Sequence, residues 1–303
     1  MEFNFDFYSP EQALILPSAK EKKIELYIKR DDLIHPYISG NKWRKLKYPL
    51  QQARQKGKSH LVTFGGAWSN HLLATACAGA QFGFETTGYV RGEQIDNPVL
   101  TLCRLFGMKL QFVGRDEYRD KRALFERDYR RNSNSFFIDE GGYSPEAAKG
   151  CEEIVKELQR VYDHIFVACG TGATLAGVAK GISLYQPNAK AHGIPVLKGG
   201  DFIRKAALGL YPDLDFTLHC DYHFGGYAKT KANLMSYISE FCRTTGILIE
   251  PVYTGKLLFG ITDLIEKNYF KGGDRICIIH TGGLTGFLGF QSNFLLDLNN
   301  SNS

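Results

Sequence analysis

The sequence predicts an α/β protein built on parallel sheets. Short apolar runs alternate with longer helical patterns, as repeated βα units require. Glycine pairs punctuate the chain at Gly65-Gly66, Gly141-Gly142, Gly225-Gly226 and Gly282-Gly283, three of them at or close after an expected strand. In open α/β sheets ligands bind beyond the carboxyl ends of strands, where the backbone turns tightly or approaches closely. A single pair, taken alone, need only turn the chain.

Strand 24–28 leads past Lys29-Arg30-Asp31-Asp32 and a tight Ser39-Gly40-Asn41 turn into helix 42–56. Strand 60–64 turns on two glycines into helix 69–82, with the capping types Ser69 and Asn70 at its start. Strands 85–90 and 109–113 flank helix 97–106, and helix 117–131 precedes strand 135–138. Helix 145–161 opens well: Ser144 caps, Pro145 suits the first helical position and Glu146 complements the dipole. The apolar strand 165–169 feeds helix 173–185, and strand 190–196 follows. Helices 229–245 and 256–267 and strand 275–280 complete the pattern. No obvious linker divides the chain. The four-unit block 46–140 reads as a smaller α/β lobe inserted in a larger one formed by 1–45 and 141–303.

At 303 residues the chain suffices for one large or two medium domains. Its net charge of +5 is mild and contains no basic block, so nucleic-acid or membrane-surface binding gains no support and a small anionic ligand fits better. The seven cysteines are scattered, without a CxxC pair or a histidine spaced as a metal partner, which points to reduced thiols and no metal site. Acidic residues stand near the N-terminus where a secretory signal would want Lys or Arg, and no run of 18 apolar residues appears. A cytoplasmic location is expected.

Lys42 is the first candidate for chemistry. A lysine amine is a poor nucleophile while protonated, but a helix N-terminus and the neighbouring cations Arg44 and Lys45 depress an ammonium pKa and favour an anion nearby. The bland reading of any lysine is a solvated surface residue. Ser69 and Asn70 could do no more than cap their helix, or could present a hydroxyl and an amide to a ligand from a rigid element. His71 could titrate near neutrality. Cys169-Gly170-Thr171-Gly172-Ala173-Thr174 follows a strand and opens a helix, so several backbone N–H groups face one point, as a phosphate cradle needs. It is not a dinucleotide fingerprint, since residue 175 is leucine, and no Walker A, G-x-S-x-G or H-E-x-x-H pattern occurs. Tyr253 and Thr254 share a turn before a helix, Tyr227 sits in a glycine loop, and His280-Thr281-Gly282-Gly283 could wall a pocket. Asp31 and Asp32 read as capping or pairing with Lys29 and Arg30.

Together these segments resemble, in order and over nearly the whole chain, the pyridoxal-phosphate enzymes that include 1-aminocyclopropane-1-carboxylate deaminase and D-cysteine desulfhydrase. The resemblance implies the tryptophan-synthase-β type of fold: two doubly wound lobes with the cofactor between them, as a homodimer. It makes Lys42 the Schiff-base lysine. It gives the cofactor phosphate to Lys45 and to Gly170, Thr171, Gly172, Ala173 and Thr174, and the ring hydroxyl to Asn70. Ser69 would assist protonation or bind the substrate carboxylate, and Tyr227, Tyr253 and His71 would face the substrate. Thr254 stands where the deaminases carry a glutamate against the pyridine nitrogen, and His71 where they carry glutamine. A hydroxyl gives a weaker electron sink than a carboxylate, so desulfhydrase-like elimination is expected over cyclopropane opening. A pyridoxal-phosphate-binding protein without turnover is the reading of another class, and the intact tyrosine pair argues against it. Asp139-Glu140-Gly141-Gly142-Tyr143 departs from the family pattern near the substrate entrance.

Overall fold

The computed structural model describes residues 7–290. Two sheets organise it. The larger has the order β1-β2-β10-β7-β8-β9, built from Glu11–Leu14, Glu25–Lys29, Arg275–Ile279, His164–Cys169, Lys190–Pro195 and Thr217–Leu218. The smaller has the order β5-β4-β3-β6, from Lys109–Val113, Glu85–Arg91, His60–Gly66 and Ser135–Phe137. Every pairing is parallel except β1 with β2.

Parallel strands need both faces covered, and the burial pattern shows the cover. Along β7, Ile165 and Val167 join one apolar cluster with α6 (Pro145–Lys156), α7 (Ala173–Tyr185) and α8 (Asp201–Leu210). Phe166 and Ala168 join another with α9 (Ala232–Thr245) and α10 (Thr254–Glu266). The small sheet behaves alike. Leu61 packs towards α2 (Asn41–Gln55) and α3 (Asn70–Phe82), while Val62 and Phe64 face α5 (Lys121–Tyr129). Helices therefore lie on both faces of each sheet, and the doubly wound α/β fold expected from the sequence is present.

Each of the eight expected strands has its counterpart. Strands β1 and β9, α1 (Pro17–Glu21) and α8 were not anticipated; α4 is Pro98–Leu105. Three expected helices are clearly shorter than read, the last, 229–245, beginning only at Ala232. Helix 117–131 breaks because the Asp120 side chain caps Ala123 N–H, leaving a 3₁₀ turn at Glu117–Arg119 before α5. Helix 145–161 begins as expected, with Ser144 Oγ accepting from Ala147 N–H, but stops at Lys156. All four strands of the small sheet fall between residues 60 and 137, yet α2 runs unbroken through 45–46, so no chain break separates the lobes there. Among the described residues no helix is long and apolar enough to cross a membrane.

Candidate active site

The carboxyl ends of β3 and β7 open on one cavity of about 670 Å³, at the starts of α2, α3 and α10. Lys42, Ser69, Asn70, His71, Gly170, Thr171, Tyr227 and Tyr253 all line it. A niche of about 40 Å³ shares Lys42, Gly141, Gly170, Thr171 and Tyr253 with that cavity and adds Asn41, Lys45, Gly172 and Thr174.

The Lys42 turn is locked from behind. Gly40 has φ +59°, and a Cβ there would lie 1.9 Å from the Thr281 carbonyl oxygen, so only glycine serves. Asn41 N–H donates to that same carbonyl, and its Nδ2 donates to Thr174 Oγ1 at 3.0 Å. This amide clamps the start of α2 to the start of α7 and sets Lys42 beside the 170–174 loop. Burial first, and then the charge of Lys45, bring the Lys42 ammonium down to about 7. Lys45 is buried, its own pKa lowered by burial, and donates to the Gly141 carbonyl at 3.0 Å. Arg44 takes no part in this depression. It is fully buried in ion pairs with Asp31 and Glu157, a correction to its expected role. Asp32 does pair with Arg30, but Asp31 takes Arg44 rather than Lys29.

Ser69 is both a cap and a cavity residue: its Oγ accepts from Leu72 N–H and borders the open space. Asn70 accepts from Thr285 Oγ1 at 2.8 Å through Oδ1, and its Nδ2 has no acceptor among the described residues. His71 does not titrate near neutrality. Burial, then Lys42 and Lys45, hold it well below its ordinary pKa. Thr63 Oγ1 donates to the Ile138 carbonyl and lies 2.8 Å from His71 Nε2, so Nε2 carries the proton and Nδ1 is a buried lone pair without a partner.

The tyrosines meet edge-on, ring centroids 6.1 Å apart; burial raises the Tyr253 phenol pKa steeply, while Tyr227, raised by desolvation on its cavity side, keeps 44% of its surface exposed. Tyr227 rides on a loop that buried Lys256 ties down by donating to the Val196, His223 and Gly226 carbonyls. Thr254 is buried and absent from the cavity lining; its hydroxyl accepts from Glu250 N–H, and its contacts to Glu250 oxygens are long, at 3.3 and 3.5 Å. Glu250 lines the cavity instead. Its carboxylate accepts from the N–H groups of Val252, Tyr253 and Thr254, capping α10, while burial raises its pKa. Ala173 is buried and does not line the niche; as the first residue of α7 it offers only its backbone N–H. Among the described residues, His280, Thr281, Gly282 and Gly283 line neither the main cavity nor the niche; Thr281 and Gly282 buttress the Gly40 turn and Gly283 packs on Asn70.

A family model described as pyridoxal-phosphate dependent enzyme matches residues 12–282. The chain belongs to that family. A Pyrococcus horikoshii protein provisionally named 1-aminocyclopropane-1-carboxylate deaminase is 32% identical over 88% of this chain and 87% of its own. The D-cysteine desulfhydrase of Yersinia enterocolitica is 28% identical over 86% of each. A solved structure of an ACC deaminase homologue superposes with TM-score 0.84 at 30% identity, covering 98% of this chain and 95% of that one. The enzyme's cofactor is pyridoxal phosphate, and the residues fit it. Thr171 Oγ1 is buried in the niche wall without a partner, as a hydroxyl awaiting a phosphate oxygen would be. The starts of α2 and α7 turn their positive ends towards the niche, and Lys45 adds a cation.

Glu250, Arg91, Arg115 and Phe202 are cavity residues that sequence reasoning missed. Glu250 precedes a recognised motif by one residue, so a carboxylate before Pro251 was the available signal. The arginines carried none.

Proposed function

We propose that the enzyme eliminates the β-substituent of a small amino acid and deaminates it, as a D-cysteine desulfhydrase does, releasing a keto acid, ammonia and hydrosulfide. The observation that carries this reading is Lys42, with an ammonium pKa of about 7, clamped through Asn41 and Thr174 beside a phosphate-sized niche. Pyridoxal phosphate, when bound, supplies the electron sink that acidifies the substrate's α-proton.

The chain does the rest. Lys45, Thr171 and the 170–174 backbone would hold the anionic tail, and Asn70 Nδ2 would donate to the ring hydroxyl. Lys42 Nζ takes the α-proton. Ser69 Oγ and the 66–70 turn bind the substrate carboxylate, and Ser69 is placed to return a proton at carbon. Tyr227 and Tyr253 keep their phenol protons at neutral pH, since both are raised above the ordinary phenol value, so they act as donors towards the leaving group. Neutral His71 offers Nδ1 as an acceptor. Position 254 supplies no carboxylate to the ring nitrogen, since Thr254 lies outside the cavity lining, and the oxygens of Glu250, which does line it, already accept from three backbone N–H groups; the weaker electron sink favours elimination over cyclopropane opening.

The test compares pyruvate release from D-cysteine with 2-oxobutyrate release from 1-aminocyclopropane-1-carboxylate. The first should dominate, and Thr254→Glu should shift the ratio towards the second. An unmoved ratio refutes the argument about the ring nitrogen. Pyruvate release surviving Lys42→Ala refutes the role of the lysine. A cytoplasmic homodimer with lobes 1–45 plus 141–303 and 46–140 belongs to the same proposal, supported by the resemblance and the scattered cysteines; a single elution volume at twice 34.0 kDa is the expected result for the dimer.

A further inference from the structure

A second cavity of about 540 Å³ is lined by Arg91, Arg115, Tyr118, Arg119, Lys121 and Glu140. Arg91, Arg115 and Glu140 also line the main cavity, so the second space is its vestibule. Four cations face one carboxylate there. Arg91 closes β4 beside Gly66, its register partner at the end of β3. A Cβ on Gly66 would lie 3.7 Å from Arg91 Nη2, so the guanidinium reaches over the turn that leads to Ser69. Arg91 and Lys121 both sit on the ring of Tyr118, at 5.5 and 5.4 Å from its centroid. Glu140 lies 3.4 Å from Lys121 but 3.9 Å from Arg91, and Arg119 pairs outward with Asp116. Arg115 has no ion pair or hydrogen bond among the described residues.

Cations gathered this closely repel unless an anion joins them. The Tyr118 hydroxyl points the same way: the side chain is 2% exposed and lines the vestibule, and its buried oxygen has only the Glu140 carboxylate near it, outside close hydrogen-bond geometry. A buried hydroxyl held this loosely gains from a better-placed acceptor.

We propose that this vestibule binds an oxyanion at the end of the substrate's side chain, so that the enzyme prefers amino acids with a second anionic group: a carboxylate, sulfonate or phosphate. The inference rests on the reading of the Lys42 cavity as an amino-acid site and names the substrate class of that site. The α-carboxylate meets the Ser69 turn, and the distal oxyanion meets Arg91, Arg115 and Tyr118. With a β-sulfonate or β-phosphate, the α-proton passes to Lys42 and the Cβ–S or Cβ–O bond breaks, both electrons leaving with sulfite or phosphate. Addition of one water then gives pyruvate and ammonia. Aspartate has no such leaving group and should bind without turnover.

The experiment titrates holoenzyme with both configurations of aspartate, cysteate and O-phosphoserine against the cofactor's visible absorbance, with both configurations of cysteine and serine as neutral comparators. At least one charged amino acid should bind about tenfold or more tighter than the neutral one of its configuration, the worth of a charge-assisted hydrogen bond. Which headgroup wins separates a planar from a tetrahedral oxyanion. Arg115→Met should lower the charged-to-neutral preference about tenfold, and Glu140→Gln should raise it. Neutral amino acids that turn over while charged ones bind no tighter would overturn the vestibule assignment alone. Absorbance that responds to neither class would overturn the amino-acid reading of the Lys42 cavity and this inference with it.

Discussion

Replacing Asp31 by asparagine removes the charge that holds Arg44 in place behind the Lys42 turn. Both side chains are fully buried, and Asp31 accepts from Arg44 Nε and Nη2 at 3.0 Å and from Ser9 Oγ at 2.6 Å. Burial pushes the Asp31 carboxyl up, but Arg44's charge and hydrogen bonds pull it below its ordinary value. Breaking a buried pair from one side costs about 3–5 kcal/mol, because the other charge is left uncompensated. Arg44 keeps Glu157, which is about one-third exposed, so the lower end applies: about 3 kcal/mol. At about 2 °C per kcal/mol for a chain of this size, the melting temperature should fall about 6 °C. The Gly40 N–H that opens α2 donates to the Asp31 carbonyl, so cofactor affinity should fall as well. Urea unfolding of the wild type, Asp31→Asn, and the double change Asp31→Leu with Arg44→Met reads the energy. The double variant should be more stable than the single. A loss under 1 kcal/mol for Asp31→Asn, or a double variant no more stable than Asp31→Asn, would refute the reasoning. The carboxyl is depressed on folding, so its contribution is present above the unfolded pKa near 4 and is lost as pH falls below it.

Uptake of pyridoxal phosphate by apoenzyme needs a deprotonated Lys42. Its rate, followed by absorbance, should rise about tenfold per pH unit below about 7 and level off above, and a flat profile would contradict the depressed lysine. In the large sheet His192 bridges His164 and His219 at 2.9 and 3.0 Å, and burial, then the two neighbouring histidines, take it down to about 3. The unfolded chain therefore binds the proton first: stability is full above about 6.5 and declines towards pH 3, by on the order of 2 kcal/mol at pH 5. Urea melts at pH 7 and pH 5 check this, and His192→Phe, stacking on Phe166 as the imidazole does, should flatten the slope.

Much of the fold was legible because βα alternation is a local signal. Buried parallel strands such as Ile165–Cys169 are continuous apolar runs, and glycine marks their ends. What escaped was short or weakly patterned. Strand β9 is two residues long, and α8 buries only Ile203 and Ala207 on one side. The break in 117–131 turned on Asp120, an acid that reads equally well inside a charged helix or as its cap. At the site, Lys42, Asn70 and the 170–174 loop were readable because each sits at a strand-to-helix turn. Arg44 misled because its sequence neighbour Lys45 lines the niche while its own side chain points to the other face of α2, towards Asp31. Glu250 and Arg91 belong to the cavity through packing between elements distant in the chain, which spacing along one segment does not encode.

The most direct test of the account is borohydride reduction of the coloured holoenzyme, followed by digestion and mass spectrometry of the peptides. The account predicts the reduced cofactor's mass on Lys42, with no label in Lys42→Ala. A label on Lys45, Lys256 or any other lysine would contradict it.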